Sequence, residues 1–430
     1  MRHKVLGIDF GTCFSFPAVM MNGEPRSLLP SKINGGGIPS VFYYDKKMGE
    51  LTGARAESHG ARNPSCIARE VKLRIGGAPY SLDGETYGAR EISAKILAGI
   101  TALANEQFEI EFREPPIHDA VIAVPVKFGD LERKMIRLAA GVPRIDGGSE
   151  LNIKTFVQEP VAAAIDYGET IKAAEYALVY DLGGGTFDAA IVARTLNERQ
   201  PYRVVDFDDA EVGGKDFDAL FFDHLSERFA AERGIDISTN ERAKSDLSKA
   251  ARNVKEELSD TLETVAEVQF GGVFYEITVT RAEFERVVKP LLDKTLYVAK
   301  KLAERNGLLN SPRLHAVMVG GGSYMPCAKT GLAQALGAKT RVHLHRPDKA
   351  IAFGAARLGE NIGIISQLAP YSYGIGVFTD GHDEISNLIF KKTALPARTG
   401  VNAFVTRADG MTEQRVKVYQ NSSPDKRVNI

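Results

Sequence analysis

Short apolar runs that end in an aspartate and a glycine turn are the most regular feature of the chain. Residues 5–20 read VLGIDFGTCFSFPAVM, and residues 178–192 read LVYDLGGGTFDAAIV. Each segment has an apolar run, an aspartate, a turn rich in glycine and threonine, and a second apolar run, which is the pattern of a β-hairpin. The repeat predicts two related lobes that face each other.

Helical patterns alternate with strand patterns between the two hairpins. Residues 120–125 (AVIAVP) predict a strand that ends at a proline, and residues 129–140 predict a helix. Residues 156–164 (FVQEPVAAA) place Pro160 in the first turn of an alanine-rich helix, a position that suits proline. Strands that alternate with helices indicate an α/β fold.

A charged segment interrupts this alternation in the second half of the chain. Residues 236–267 are predicted to be mostly helical, and residues 268–280 predict a hairpin. A capping box that starts at Thr280 opens a further helix, to about residue 304. We interpret residues 236–309 as a peripheral subdomain inserted in the second lobe.

The last part of the chain has a different pattern of apolar and polar residues. Residues 316–319 predict a strand that ends in the glycine loop Gly320–Gly322, which matches neither the P-loop nor the Rossmann pattern. Beyond Gly359, short strand-like runs stand at residues 373–378, 388–391 and 415–419. We expect the tail to form a small β unit.

Composition excludes several classes of protein. The chain has 430 residues, of which 44% are hydrophobic and 25% charged, as in ordinary globular proteins. Its 54 basic and 55 acidic residues leave a net charge of −1 without a dense basic block, so neither a nucleic acid nor a membrane is an expected partner. The first residues are too polar for a signal peptide, and the three separate cysteines lack a CxxC pair. We expect a cytoplasmic protein with reduced thiols.

The two glycine turns carry the candidate chemistry. A turn of this kind directs backbone N–H groups inward and can hold phosphate oxygens, with the hydroxyls of Thr12 and Thr186 as further donors. Asp9, Asp181 and Asp188 suit Mg²⁺, which keeps several waters and needs few direct carboxylates. For one turn alone, a glycine hairpin without a ligand is an equal alternative. Two such turns and a third glycine loop favour a phosphate site.

With these motifs in this order, the chain resembles the heat-shock-protein-70 chaperone family of the actin-like ATPase superfamily. Residues 7–12 (GIDFGT) resemble its first phosphate motif, residues 181–188 (DLGGGTFD) its second, and residues 319–326 (VGGGSYMP) its adenosine motif. The likeness covers residues 1–359. It implies a two-lobed, ribonuclease-H-like ATPase fold with ATP or ADP and Mg²⁺ at the base of a cleft, and the family also places potassium ions there.

The resemblance assigns catalytic roles to individual residues. Lys72 matches the lysine that positions the attacking water, and Glu159 matches a carboxylate in the same water network. Asp181 and Thr186 complete the expected catalytic set. The Mg²⁺ ion would be surrounded, mostly through water, by Asp9, Asp181 and Asp188.

The resemblance also predicts the nucleotide contacts and an allosteric relay. Pro125 and Arg133 match a pair that relays the nucleotide state outward. Without the motifs, Lys72 and Lys255 would be interpreted as solvated surface lysines. The nucleotide is expected to contact Gly11, Thr12, Cys13, Gly183, Gly184, Gly185, Thr186, Gly213, Gly214, Lys255, Ser259, Gly320, Gly321, Gly322 and Asp348.

Several positions depart from the family pattern. Cys13 replaces a threonine that binds phosphate, Glu256 an arginine that stacks on adenine, and Tyr324 a second arginine. A thiol is a weak donor and a carboxylate makes no cation–π contact, so we expect nucleotide binding that is either weaker or differently built. Thr155 stands where J-domain-responsive relatives carry arginine. Coupling to a J-domain co-chaperone is therefore not predicted, and a nucleotide-exchange partner stays open.

The resemblance divides the chain into three regions. Residues 1–361 are expected to form the nucleotide-binding ATPase domain, residues 362–369 a linker-like segment, and residues 370–430 a truncated β-sandwich, which is a partial substrate-binding domain. The last region is about half as long as the family's sandwich and has no helical lid. We expect either a reduced client domain or a fragment.

Four functional hypotheses follow. The leading one is a slow, Mg²⁺-dependent ATPase of the chaperone type, in which lobe rotation controls an unfolded or regulatory protein client. A non-catalytic, ATP-gated binding or scaffold module is an alternative, because of Cys13, Glu256 and the short tail. An actin-like filament ATPase is a further alternative that the inserted subdomain opposes. A sugar kinase is the least favoured, since the motifs follow the chaperones.

Overall fold

Two mixed β-sheets with helices packed on them organise most of the chain. The computed structural model describes residues 4–30, 36–141, 150–172, 175–361, 365–379, 382–400, 404 and 415–429. The α/β class predicted from the sequence is confirmed.

The first sheet is built from the N-terminal part of the chain. Its elements and their neighbours are β1 (Val5–Phe10), β2 (Phe14–Met21), β3 (Glu24–Ser27), β4 (Ile38–Pro39), β5 (Phe42–Asp45), β6 (Gly49–Thr52), α1 (Gly53–Gly60), β7 (Ile67–Ala68), β8 (Tyr80–Leu82), β9 (Glu85–Tyr87), α2 (Ala89–Phe112), β10 (Asp119–Val124), α3 (Asp130–Ala140), β11 (Asn152–Gln158) and α4 (Glu159–Tyr167). The sheet runs β11-β10-β1-β2-β3, with β4 paired to β2. Its central strands are continuous apolar runs because both faces are covered.

The second sheet repeats the central pattern of the first. Its elements and their neighbours are β12 (Tyr176–Leu182), β13 (Phe187–Arg194), β14 (Tyr202–Ala210), α5 (Gly214–Arg233), α6 (Glu241–Glu257), β15 (Glu263–Phe270), β16 (Val273–Thr280), α7 (Arg281–Arg305), β17 (Leu314–Val319), α8 (Pro326–Leu336), β18 (Arg341–Leu344), α9 (Ala350–Glu360) and β19 (Ile365–Ser366). The strand order is β18-β17-β12-β13-β14-β19. In both sheets the first strand of the predicted hairpin also pairs with a parallel strand, β10 beside β1 and β17 beside β12. Both predicted hairpins are confirmed.

A shared core joins the two sheets through α4 and α9. One apolar cluster contains Val121 of the first sheet, Val179 of the second, and residues of both helices. The helices cross so closely that a side chain on Gly354 would clash with the carbonyl oxygen of Ala162. The sheets are therefore connected by helix packing with little spare space.

The inserted segment differs in part from the prediction. The structure has a strand, β15, from Glu263, whereas the sequence predicted helix to Glu267. The exposed residues Glu263, Val265 and Glu267 alternate with the buried Ala266 and Val268, so the two glutamates were wrongly interpreted as part of a helix surface. Thr280 caps α7 as predicted, since its hydroxyl accepts a hydrogen bond from the N–H of Glu283 (3.2 Å).

The C-terminal residues form a separate small sheet. Its strands are β20 (Ser372–Thr379), β21 (His382–Ile389), β22 (Val418–Asn421) and β23 (Arg427–Asn429), in the order β22-β20-β21-β23. The strand predicted at residues 388–391 instead ends at Ile389 and starts six positions earlier, because polar residues occupy most of its length. The predicted small β unit is therefore present.

The C-terminal sheet is tied to the rest of the chain. Strand β19, which precedes the C-terminal sheet along the chain, pairs with β14 and so extends the second sheet. Lys392 pairs with Asp206 (2.5 Å), and the Tyr371 hydroxyl donates to the carbonyl oxygen of Lys127 (2.6 Å). Of the predicted linker-like segment, residues 362–364 lie outside the described residues.

Among the described residues, no helix combines the length and apolar character that crossing a membrane requires.

Replacing Gly354 with alanine is expected to destabilise the junction of α4 and α9. The new methyl group would overlap the Ala162 carbonyl, and overpacking of this kind lowers the free energy of unfolding by about 1–3 kcal/mol. Urea denaturation of Gly354→Ala measures the effect. Gly88→Ala is the matched control, because nothing lies within 4 Å of a side chain there. Equal stability of the two variants would contradict the close crossing.

Candidate functional site

Three aspartates lie at the ends of the central strands of the two sheets. Asp9 is near the end of β1, and Asp181 is near the end of β12, directly opposite Asp188 in the antiparallel register of β13. Their exposed fractions are 9%, 3% and 1%, in that order. The strand ends therefore concentrate three buried carboxylates at one site.

A buried ion pair stands beside these aspartates. Glu159 is the first residue of α4, and Lys72 lies in a short 3₁₀ helix, Val71–Arg74. The Lys72 ammonium group pairs with Glu159 Oε1, and both side chains are at least nine-tenths buried. The ring of Phe128 lies 5.7 Å from the same ammonium group. Lys72 is therefore not the solvated lysine that its local sequence alone suggests.

The pKa values of the aspartates show that negative charge accumulates here. Burial first, and the Glu159 carboxylate second, raise the pKa of Asp9 and of Asp188 to about 7. Burial, Glu159 and Asp188 raise the pKa of Asp181 well above its usual range. The charge of Lys72 opposes the shift at Asp9 and Asp181. A bound cation would stabilise the ionised carboxylates.

The three aspartates are the candidate ligands of a metal ion. Among the residues that the structure describes, no group of three or more histidine, cysteine, aspartate and glutamate side chains could hold a metal ion by itself. An ion at this site would need water ligands, and Mg²⁺ commonly keeps several. The assignment of Asp9, Asp181 and Asp188 to such an ion stays a prediction.

Asp188 is oriented by two hydrogen bonds. It accepts one from the backbone N–H of Val126 and one from the hydroxyl of Thr186, each at 3.1 Å. Val126 follows Pro125 at the end of β10, so the first sheet reaches a carboxylate of the second. Sequence analysis missed this contact, because a backbone N–H carries no residue-type signal.

The two glycine turns meet at this cluster. A side chain on Gly185 would lie 2.8 Å from Thr12, and one on Gly184 would lie 2.5 Å from the sulfur of Cys13. The predicted approach of the two phosphate motifs is therefore present in the structure. Only glycine allows the turns to come this close.

The second turn also packs against the N-terminus of α5. The N–H of Gly214 donates to the carbonyl of Gly183, and a side chain on Gly213 would clash with the backbone of Gly185. The N–H of Lys215 likewise donates to the carbonyl of Gly184. These hydrogen bonds fix the second turn to the start of α5.

The third glycine loop lies against Asp181. Gly320 has φ = 80°, and a side chain there would lie 2.6 Å from Asp181 Oδ1. The Tyr324 hydroxyl donates to Asp348 Oδ2 (2.8 Å). A side chain on Gly321 would meet nothing within 4 Å. The structure thus places the predicted adenosine motif next to the carboxylates.

Lys255 and Ser259 lie near the same turns. The Lys255 ammonium group pairs with Asp218 (2.6 Å) and lies 3.4 Å from the carbonyl oxygen of Gly214. The Ser259 hydroxyl donates to the carbonyl of Lys255 (3.3 Å). Their contact with adenosine stays a prediction.

Two contacts that the sequence did not predict connect the sides of the site. The Arg252 guanidinium lies 5.4 Å from the ring of Phe14 and donates to Glu256 Oε1 (3.1 Å). Lys215 on α5 pairs with Glu70 (2.9 Å). The four-residue spacing of Arg252 and Glu256 is a sequence signal for their hydrogen bond within α6, whereas no such signal marks the contact of Arg252 with Phe14 or of Lys215 with Glu70.

Pro125 and Arg133 flank the same segment. The Pro125 carbonyl accepts from the N–H of Phe128 (3.1 Å), and Arg133 Nε donates to the Phe128 carbonyl (3.1 Å). Both predicted relay residues therefore fix the backbone beside Lys72. Their role in relaying the nucleotide state stays a prediction.

Comparison with known proteins decides the family. A family model described as Hsp70 protein matches residues 77–429. The chain belongs to the Hsp70 family. Two relatives, each named Chaperone protein DnaK and taken from two strains of Halobacterium salinarum, are 32% identical to it over 432 residues. The match covers 97% of this Hsp70-family chain, which spans 65% of the length of those relatives.

The stability of the ligand-free protein is expected to fall as the pH rises from about 4 to 7. An unfolded aspartate has a pKa of 3.8, whereas burial raises the pKa of Asp9 and Asp188 to about 7. In this window the folded chain holds protons that the unfolded chain has released, so rising pH favours unfolding. Asp188→Asn should therefore be more stable than wild type at pH 8, and the difference should shrink at pH 5.

Urea denaturation in EDTA at the two pH values measures this difference. Asp223→Asn, which changes an exposed carboxylate on α5, is the matched control and should show no such pH dependence. If Asp188→Asn follows the wild type at both pH values, Asp188 does not carry the proposed electrostatic cost.

Proposed function

We propose that this Hsp70-family protein is a Mg²⁺-dependent ATPase of the chaperone type that hydrolyses ATP slowly. The observation that carries the proposal is the buried Lys72–Glu159 pair beside Asp9, Asp181 and Asp188, at the point where two glycine turns meet. Phosphoryl transfer depends mainly on positioning and on charge neutralisation. The buried lysine suits the positioning of reacting groups. The buried aspartates suit a bound cation, which neutralises charge.

The glycine turns and loops define where the nucleotide binds in this proposal. The phosphates lie at the turns, and adenosine lies along the third loop between α6 and α8. A side chain on Gly321 would meet no neighbour, so the loop has room for a ligand. We assign the phosphates to Gly11, Thr12, Cys13, Gly183, Gly184, Gly185, Thr186, Gly213 and Gly214, and adenosine to Lys255, Ser259, Gly320, Gly321, Gly322 and Asp348.

The metal in this proposal is Mg²⁺, surrounded mostly through water by Asp9, Asp181 and Asp188. When bound, Mg²⁺ neutralises charge on the nucleotide phosphates. The family resemblance adds potassium ions at the same site. The support for a cation is electrostatic, since burial and repulsion by the Glu159 carboxylate raise the pKa of all three aspartates.

Lys72 and Glu159 position the attacking water. The Lys72 ammonium group, fixed by Glu159 on one side and Phe128 on the other, donates hydrogen bonds to the water and to a phosphate oxygen. Glu159 accepts a hydrogen bond from the same water network. Thr186, oriented by Asp188, places its hydroxyl beside the phosphate turn. Water held in this way attacks in line.

Residues 1–361 would form the ATPase domain, and residues 370–430 a partial client-binding unit. Among the described residues, β22 and β23 are the outer strands of the C-terminal sheet, and an outer strand suits pairing with an extended peptide. The contacts at Asp206 and Lys127 join this unit to the ATPase, so rotation of the lobes would reach a protein client. We place the protein in the cytoplasm and leave its co-chaperones open.

A non-catalytic, ATP-gated binding module is the second candidate. Two observations favour it: a thiol, Cys13, packs against the phosphate turn, and Glu256 is hydrogen-bonded to Arg252. A thiol is a weak hydrogen-bond donor, and the Glu256 carboxylate is already bonded to Arg252. With these two residues the site would bind ATP but hydrolyse little of it.

Replacing Lys72 or Thr186 with alanine should abolish most phosphate release. Loss of one positioned donor typically lowers kcat by about 10²–10³. Steady-state release of inorganic phosphate in Mg²⁺ and ATP measures the rate. Lys289→Ala, which changes an exposed lysine on α7, is the matched control.

Equal rates for wild type, Lys72→Ala and Thr186→Ala would contradict the assigned roles. ATP binding in calorimetry without detectable turnover by the wild type would favour the binding module instead.

A further inference from the structure

A cavity of about 520 Å³ adjoins the carboxylate cluster and leads away from it. Its inner end is formed by Lys72, Gly185 and Thr186. Its outer end is formed by Lys127 and by Tyr371, which immediately precedes the C-terminal sheet. Since a water molecule occupies roughly 30 Å³ of the liquid, this space holds a phosphate ion together with hydration waters.

The outer end of the cavity reaches solvent. Glu211 lines it, and the side chain of Glu211 is 89% exposed. Lys127 approaches this glutamate at 3.6 Å, which is a loose pair with an exposed partner. Such a pair is worth little, so an incoming anion can replace Glu211 at the lysine.

Flexible lysine side chains supply the positive charges in the wall of the cavity. Lys127 and Lys215 line it together with Lys72. Lys215 also forms a partly exposed ion pair with Glu70 (2.9 Å), which an incoming anion can replace as it replaces Glu211 at Lys127. Two carboxylates in the wall accept hydrogen bonds from the backbone. Glu132 accepts from the N–H of Gly129 (3.0 Å), and Asp216 accepts from the N–H of Gly213 (2.7 Å). Flexible lysine ammonium groups are suitable point charges for phosphate.

We propose that this cavity is the exit passage for inorganic phosphate, in which Lys127 and Lys215 bind the oxyanion after ATP is cleaved. The inference rests on the ATPase function proposed above, and it adds an oxyanion site at Lys127 and Lys215 next to the nucleotide site, whose Gly185 and Thr186 form the inner end of the cavity. Tyr371 forms the outer wall, so the position of the C-terminal sheet sets how easily phosphate leaves.

Three consecutive residues connect this passage to its surroundings. The N–H of Val126 binds Asp188, the carbonyl of Lys127 accepts from Tyr371, and the ring of Phe128 lies against Lys72. A shift of Tyr371 therefore moves the backbone of Lys127, which lies between two residues that contact the cluster. The C-terminal sheet is thereby coupled mechanically to the wall of the passage.

Phosphate binding to the ADP-bound full chain tests the site without ATP cleavage. Equilibrium dialysis of radiolabelled inorganic phosphate, with ADP and Mg²⁺ present, gives its affinity. Lys127→Met should weaken phosphate binding about tenfold, as expected for the loss of one charge-assisted contact. Lys134→Met removes an exposed lysine of α3 outside the cavity and should leave the affinity unchanged.

The rate of phosphate release tests the outer wall. Protein preloaded with ADP, Mg²⁺ and phosphate is mixed with a fluorescent phosphate-binding sensor. Tyr371→Ala should release phosphate several times faster than wild type. Tyr371→Phe keeps the ring but loses the hydrogen bond to Lys127, so an intermediate rate is expected even if the alanine variant folds poorly.

The outcomes separate this inference from the proposed function. A wild type that binds no phosphate, or variants that match it in both affinity and release rate, would overturn the passage even if ATP is hydrolysed. A wild type that does not cleave ATP but binds phosphate through Lys127 would refute the ATPase while supporting the oxyanion site.

Discussion

The burial of several carboxylates around one lysine is the constraint on which the rest of the structure depends. Among the described residues, Asp9, Asp181, Asp188 and Glu159 are all nearly inaccessible, and Lys72 is the lysine paired within this group. Burial of like charges costs free energy unless they are protonated or neutralised. The fold accepts this cost at the same place where the two glycine turns approach each other closely.

The architecture around the cluster explains how it can respond to a ligand. The strand ends come from two sheets, and α4 and α9 join those sheets through a tightly packed core. Hydrogen bonds from Val126 and Tyr371 extend the connection to the C-terminal sheet. A ligand that draws the carboxylates together would therefore act on both sheets and on the C-terminal unit, because the packed elements between them are continuous.

Sequence patterns predicted the hairpins, the turns and the strand-end aspartates, because these depend on local periodicity and on glycine. Lys72 was found only through its resemblance to a family motif, since a lysine in a polar segment has no local signal of burial. The contacts of Val126 with Asp188 and of Arg252 with Phe14 arise from packing between distant segments. The strand from Glu263 was missed because its exposed glutamates, Glu263 and Glu267, continue the charged pattern of the preceding helix.

The central claim is that the cluster binds a nucleotide together with Mg²⁺. Titration of ATP into the protein by isothermal calorimetry, with Mg²⁺ and then with EDTA, tests it most directly. The account predicts saturable binding that is much weaker in EDTA, because the carboxylates and the phosphates then face each other without a cation. Binding of equal strength in both buffers, or no binding in either, would contradict it.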